Sequence, residues 1–131
     1  MYILDTDMCI YWLKGNRNID NKIAEEGIEN IAVTIITVCE LYFGAYNSQK
    51  KQKNIATLNE VFMKLEILQT TFEVATIFGD IKTRLRREGK IINDADLLIA
   101  SIVMANDGIL VTNNTAHFER IPDLKLENWL S

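Results

Sequence analysis

Proline and glycine are scarce, with one Pro and six Gly in 131 residues. That scarcity excludes collagen-like repeats and disorder, and it argues against a sheet-rich fold full of tight turns. Histidine occurs once, as His117. A zinc cluster of His and Cys is thereby excluded, and a Ser-His-Asp triad has little to build on. The only two cysteines, Cys9 and Cys39, lack metal-ligand spacing and stand among apolar neighbours. Both are expected as buried free thiols in a reducing compartment, which places the protein in the cytoplasm. No apolar run reaches the roughly 20 residues that span a bilayer, so no membrane is expected as partner. The N-terminus lacks a basic region followed by a long apolar segment, so no signal peptide is expected. A net charge of −4 removes bulk attraction to nucleic acid.

What is present is one domain's worth of chain, residues 1–131, about half of it apolar and enough for one core. Tyr2 to Leu4 reads as a short buried strand. Thr6 or Asp7 then caps a helix to about Lys14, and a second short helix covers Ile19 to Glu26. Ile31 to Ile35 is β-branched and reads as a strand, followed by a helix from Thr37 to about Tyr46. Gln52 to Lys64 repeats apolar residues at helical spacing. Glu66 to Leu68 is a third strand. Thr71 to Arg87 is helical, with Phe72, Ala75, Ile77, Phe78, Ile81 and Leu85 inward. After a loop round Gly89, Asp94 to Ala105 forms a central apolar helix. Ile109 to Leu110 to Val111 is a fourth strand, Thr112 to Asn114 a loop, and Leu124 to Leu126 a last edge strand. Short apolar strands alternating with helices predict an α/β fold, with a mainly parallel sheet of four to five strands covered on both faces.

Against that background, four carboxylates stand among apolar neighbours: Asp5 after Met1-Tyr2-Ile3-Leu4, Glu40 within Val38-Cys39-Glu40-Leu41-Tyr42-Phe43, and Asp94 and Asp96 ahead of Leu97-Leu98-Ile99-Ala100. A desolvated, unpaired carboxylate costs several kcal/mol, about 3 or more. Taken singly, each has a structural explanation. Asp5-Thr6-Asp7 is an N-cap cluster, Thr37-x-x-Glu40 is a capping box, and Asn93-Asp94-x-Asp96 is another cap. Ligands in open parallel sheets, however, gather beyond the C-terminal strand ends. Asp5, Glu40, Asp94 and Asp96 all fall at that one rim. Clustered oxygen ligands suit Mg²⁺ or Mn²⁺, which hold water and substrate phosphate. Phosphodiester hydrolysis is the reaction class that follows, and it needs no histidine. Lys50, Lys51 and Lys53 cluster, as do Lys82, Arg84, Arg86, Arg87 and Lys90; solvated helix faces explain both groups as well as binding does.

Four segments in order carry a family resemblance: Ile3-Leu4-Asp5-Thr6-Asp7, Ile36-Thr37-Val38-Cys39-Glu40-Leu41-Tyr42-Phe43-Gly44-Ala45, Asn93-Asp94-Ala95-Asp96-Leu97-Leu98-Ile99-Ala100, and Leu110-Val111-Thr112-Asn113-Asn114. Together they resemble the PIN-domain ribonucleases, and within them the VapC toxins of prokaryotic toxin–antitoxin pairs. The resemblance implies a three-layer α/β/α sandwich. It implies Asp5, Glu40 and Asp96 as metal-binding carboxylates, with Asp94 as a helper beside them and Asp7 further out. Thr6 is implied to hold Asp5, and Thr112 and Asn114 to orient water or phosphate. Asn114 stands where the family often has a fourth acid, which makes a second metal the open point; Glu119 is a possible substitute. The implied activity is Mg²⁺- or Mn²⁺-dependent cleavage of RNA, tRNA or rRNA above all, blocking translation. The implied partners are the RNA, a VapB-like antitoxin and a second copy in a homodimer. The Lys82 to Lys90 patch would hold RNA phosphates. Tyr11, Trp12, Tyr42, Phe43 and Tyr46 are open to a groove or dimer surface, with core packing as their ordinary role.

Two other readings remain open at this stage. Asp5-x-Asp7 after a strand resembles the nucleophile motif of haloacid-dehalogenase-type phosphatases, with Thr34 as phosphate ligand. A catalytically weak PIN-type module that only binds RNA or protein is the other.

Overall fold

The segment Ile31-Ala32-Val33-Thr34 is buried at every position, as a strand covered on both faces must be. In the computed structural model, which describes residues 1–130, it is β2 (Ile31–Thr34), next to β1 (Tyr2–Leu4). The sheet has five strands in the order β3-β2-β1-β4-β5, with β3 at Glu66–Leu68, β4 at Ile109–Val111 and β5 at Lys125–Glu127. Every pairing is parallel, and Leu4 lies opposite Val111.

Successive strand residues point to opposite faces. Ile3, Ala32 and Leu110 therefore enter one apolar core, while Leu4, Val33 and Val111 enter the other. The first core is closed by α5 (Phe72–Arg87) and α6 (Asp94–Ala105). The second is closed by α1 (Thr6–Leu13), α2 (Arg17–Glu26), α3 (Ile35–Tyr46) and α4 (Lys51–Phe62). The result is the expected α/β/α sandwich. α6 carries Leu97, Ile99, Ala100, Ile102 and Val103 fully into the core, so it is the central helix that its composition predicts. None of the helices among the described residues is long and apolar enough to cross a membrane.

Several local expectations are corrected. α1 is capped by Asp5, whose carboxylate accepts from the Met8 amide at 2.8 Å, and not by Thr6 or Asp7. α3 begins two residues before the expected Thr37, because the Thr34 hydroxyl accepts from the Thr37 amide at 3.2 Å. The capping box between Thr37 and Glu40 therefore does not form, and Ile35 leaves the strand for the first helical turn. In α5, Thr71 is the cap, and the 3.6-residue period puts Val74, Ile81 and Leu85 on one buried stripe. Phe72 is 94 % exposed and Ala75 also faces solvent, contrary to their inward assignment. A short helix α7 (Thr115–Phe118) follows β4 and buries Phe118 in the core shared with α5 and α6. Cys9 is buried but Cys39 is exposed, since it shares the outer face of α3 with Glu40.

Candidate active site

The chain reverses direction across the sheet at β1, with β2 and β3 to one side and β4 and β5 to the other. Such a switch leaves a crevice beyond the C-terminal ends of adjacent strands. Asp5 follows β1 and Thr112 follows β4, so both stand in that crevice. The Asp5 backbone amide donates to Val111 O at 3.0 Å, which fixes the end of β1 against the end of β4. Asp5 is only 7 % exposed. Burial pushes its carboxyl up to about 6, opposed by hydrogen bonds from the Thr112 hydroxyl and the Met8 amide. The negative charges of Asp7 and Asp96 push it further in the same direction. The Thr112 hydroxyl accepts from the Asn114 amide at 2.9 Å.

Asp96 reaches the crevice from the first turn of α6. Asn93 caps this helix and grips Asp96 reciprocally. The Asp96 amide donates to Asn93 Oδ1 at 2.9 Å, and Asn93 Nδ2 donates back to Asp96 Oδ2 at 2.9 Å. Glu40 arrives from the second turn of α3. Its Oε1 accepts from the Thr6 hydroxyl at 2.6 Å, and Thr6 Oγ1 lies 3.1 Å from Thr37 Oγ1. Because Thr6 gives its proton to Glu40, the fully buried Thr37 hydroxyl is the donor to Thr6. Thr6 thus holds Glu40, where a hold on Asp5 was expected.

Asp94 faces differently. It is 62 % exposed and pairs with Lys82 of α5 at 2.8 Å. Asp7 and Glu119 are exposed, as is Asn114, whose side chain has no hydrogen bond among the described residues. Asp5 and Asp96 thus stand close enough to feel each other's charge, Thr6 holds Glu40 from the α3 side, and Asp94 is turned to Lys82.

Two groups escaped the sequence reading. Thr37 reads locally as a cap, and nothing in its pattern signals a contact with Thr6. His117, dismissed for want of histidine partners, projects from α7 with Nε2 buried 3.3 Å from Asp96 Oδ2. That distance is close enough for an ion pair, but the angles do not make a hydrogen bond. Its solitary occurrence was the only signal.

The donor set is all oxygen, which suits a hard divalent cation. Burial, more than its acidic neighbours, raises the proton affinity of Asp5, and a cation in the crevice would favour its ionised form. Among the described residues no three His, Cys, Asp or Glu side chains converge tightly enough to enclose an ion alone. The residues therefore fit an ion that keeps several waters, as Mg²⁺ does, better than a dehydrated cage.

Comparison with known proteins gives a consistent result. The PIN domain matches residues 2–124. The chain is 37 % identical over 131 residues to "Ribonuclease VapC2" of Rickettsia felis, covering 98 % of each. It is 30 % identical over 128 residues to "tRNA(fMet)-specific endonuclease VapC" of Shigella flexneri, covering 98 % of this chain and 97 % of that one. Among solved structures, VapBC2 from Rickettsia felis bound to a promoter DNA fragment superposes with a TM-score of 0.90 at 37 % identity, over 98 % of each chain.

Proposed function

The chain belongs to the PIN domain family, and on that premise we propose how it acts as a ribonuclease toxin of the VapC type. PIN-domain nucleases generally use divalent metal ions; here the ion is Mg²⁺, with Mn²⁺ as a substitute. Asp5, Asp96 and Glu40 hold it, within one PIN domain over residues 1–131. The observation that carries this reading is the buried Asp5, raised toward neutrality beside the charge of Asp96. Such a pair repels an RNA phosphate unless a cation lies between.

A bound divalent ion supplies an activated water and neutralises charge building on the phosphoryl group. The protein's own groups set the geometry. Thr112 stands beside Asp5, and Asn93 fixes the carboxylate plane of Asp96. Thr6, backed by Thr37, aims Glu40. Asn114 lies at the mouth, where its amide orients a water or a phosphate oxygen. Asp94, held by Lys82, belongs to the rim that meets substrate.

The substrate is RNA, with tRNA or rRNA as the class, and cleavage stops translation in the cytoplasm. The partner is a VapB antitoxin, as VapBC assemblies are the structural relatives. A groove of about 530 Å³ runs from Thr6 and Glu40 past Ile10, Leu13, Leu41 and Leu58, with Lys14 and Lys53 on its edge. Its apolar floor, leading to the carboxylates, suits an antitoxin tail that covers the site. A homodimer completes the assembly.

The phosphatase reading is not favoured. It needs Thr34 as a phosphate ligand, yet Thr34 is fully buried and its hydroxyl caps α3. A binding-only module leaves the held carboxylates without a purpose, and the relatives are named as ribonucleases and endonucleases. The purified protein should cleave RNA with Mg²⁺ or Mn²⁺ and stop on addition of EDTA. Undiminished cleavage in EDTA, or in a folded Asp96→Asn variant, would refute the metal-site assignment.

A further inference from the structure

A second crevice, of about 320 Å³, lies between the C-terminal half of α5 and the start of α6. Leu85, Ile92 and Leu97 form its buried floor, and Ile91, 75 % exposed, stands at its edge. Lys82 and Arg86, one helical turn apart on α5, complete its lining. Leu97 directly follows Asp96, so this crevice begins one residue from an active-site carboxylate.

Its edge is held in place. Arg120 Nη1 donates to the Ile91 carbonyl at 2.9 Å, and the Lys90 amide donates to Leu85 O at 2.8 Å. An exposed isoleucine is thus held at the edge of an apolar floor. The local charge runs against the chain's net −4. Lys82, Arg84 and Lys90 pair with Asp94, Asp80 and Glu88, while Arg86 and Arg87 have no ion pair among the described residues. An apolar slot edged by unspent arginine charge, next to a phosphodiester-cleaving centre, complements a nucleotide: base inside, phosphate outside.

We propose that this crevice is a nucleotide subsite, receiving one unstacked base of the RNA against Ile91, Ile92 and Leu97, with Arg86 on the adjoining phosphate. The inference rests on the ribonuclease reading above and adds where the strand runs. It requires a single-stranded or looped RNA, since a paired base cannot leave its stack freely.

The test uses the full chain in EDTA, a short fluorescein-labelled single-stranded RNA, and fluorescence anisotropy. An abasic residue is placed at each position of the strand in turn. Wild type should lose about tenfold in affinity at one position only, the size expected for one base contact. Ile91→Asp should bind the intact strand about tenfold more weakly and show no further loss at that position. Arg86→Ala should lower the slope of log affinity against log salt by about one. Ile91 and Arg86 are exposed, and thermal melts verify that both variants fold. A flat abasic profile in a wild-type protein that still cleaves RNA overturns the subsite alone. Absence of both binding and cleavage overturns it together with the ribonuclease reading. If Ile91→Asp instead turns a dimer into a monomer in sedimentation and leaves the abasic profile intact, the face belongs to a second copy and the proposal fails.

Discussion

Thr6 and Glu40, thirty-four residues apart in sequence, are joined by a 2.6 Å hydrogen bond from the Thr6 hydroxyl to Glu40 Oε1. The bond ties the start of α1 to the second turn of α3 and is charge-assisted, hence among the stronger of its kind. Thr6→Val removes the hydroxyl and keeps the shape. Single-turnover RNA cleavage should fall about 10- to 100-fold, in line with the roughly 1.5–3 kcal/mol of a hydrogen bond to a charged group. Thr6→Ser should restore most of the rate. An unchanged rate in Thr6→Val would show that Glu40 needs no such hold.

Asp5 makes the metal-free protein pH-sensitive. Its carboxyl is raised from 3.8 to about 6, so the folded state binds the proton more tightly than the unfolded chain. Stability without metal therefore falls as pH rises through that window. Asp5→Asn stays neutral and can still accept from the Met8 amide. In EDTA it should melt higher than wild type near neutral pH, by at most about 3 kcal/mol, and the gap should close toward pH 4. Cleavage should be lost. Equal melting temperatures at neutral pH would contradict the buried charge.

The different settings of Asp96 and Asp94 separate their roles. Asp96→Asn should abolish cleavage and weaken Mn²⁺ binding followed by electron paramagnetic resonance. Asp94→Asn should keep Mn²⁺ binding near wild type, because that carboxylate is engaged with Lys82. Asn93→Ala removes both the α6 cap and the grip on Asp96. It should cost about 1 kcal/mol of stability and lower cleavage as well. If Asp94→Asn loses Mn²⁺ as fully as Asp96→Asn, Asp94 is a direct ligand.

His117 places a buried, unpartnered Nε2 beside Asp96. Partners of ligating groups commonly change metal affinity or activity by about 10–100-fold when removed. His117→Ala should weaken Mn²⁺ binding about tenfold at constant pH, with far-UV circular dichroism unchanged. Unaltered affinity would leave His117 as a packing group against Phe118, whose ring it meets edge-on at 5.3 Å.

The two cysteines should separate cleanly in a thiol assay. Burial pushes the Cys9 thiol up, while Cys39 is exposed. An aromatic disulfide reagent should titrate one thiol in the native protein and both in denaturant. Two rapid native reactions would show that the α1 face is open.

By itself the sequence determined the layers and the acids. Apolar triplets such as Ile109-Leu110-Val111 are too short and too buried for anything but central strands. The run after Asp96 is too apolar for anything but the middle of the sandwich. Asp5, Glu40 and Asp96 stand out in the sequence because carboxylates amid apolar neighbours need a reason. The last helical turn of detail was not legible. Whether Thr34 or Thr37 caps α3 is a choice between two similar local bonds, and it depends on where β2 stops pairing with β3. Phe72 lies nine residues before Ile81, about half a turn round the helix, so the period that buries Val74, Ile81 and Leu85 itself turns that ring to solvent. Only the tertiary structure decided the contacts across the crevice: Thr6 on Glu40, Asp94 on Lys82 and His117 beside Asp96. Each joins elements distant in sequence whose meeting depends on strand order, and no local pattern encodes a distance between two helices that meet only through the sheet.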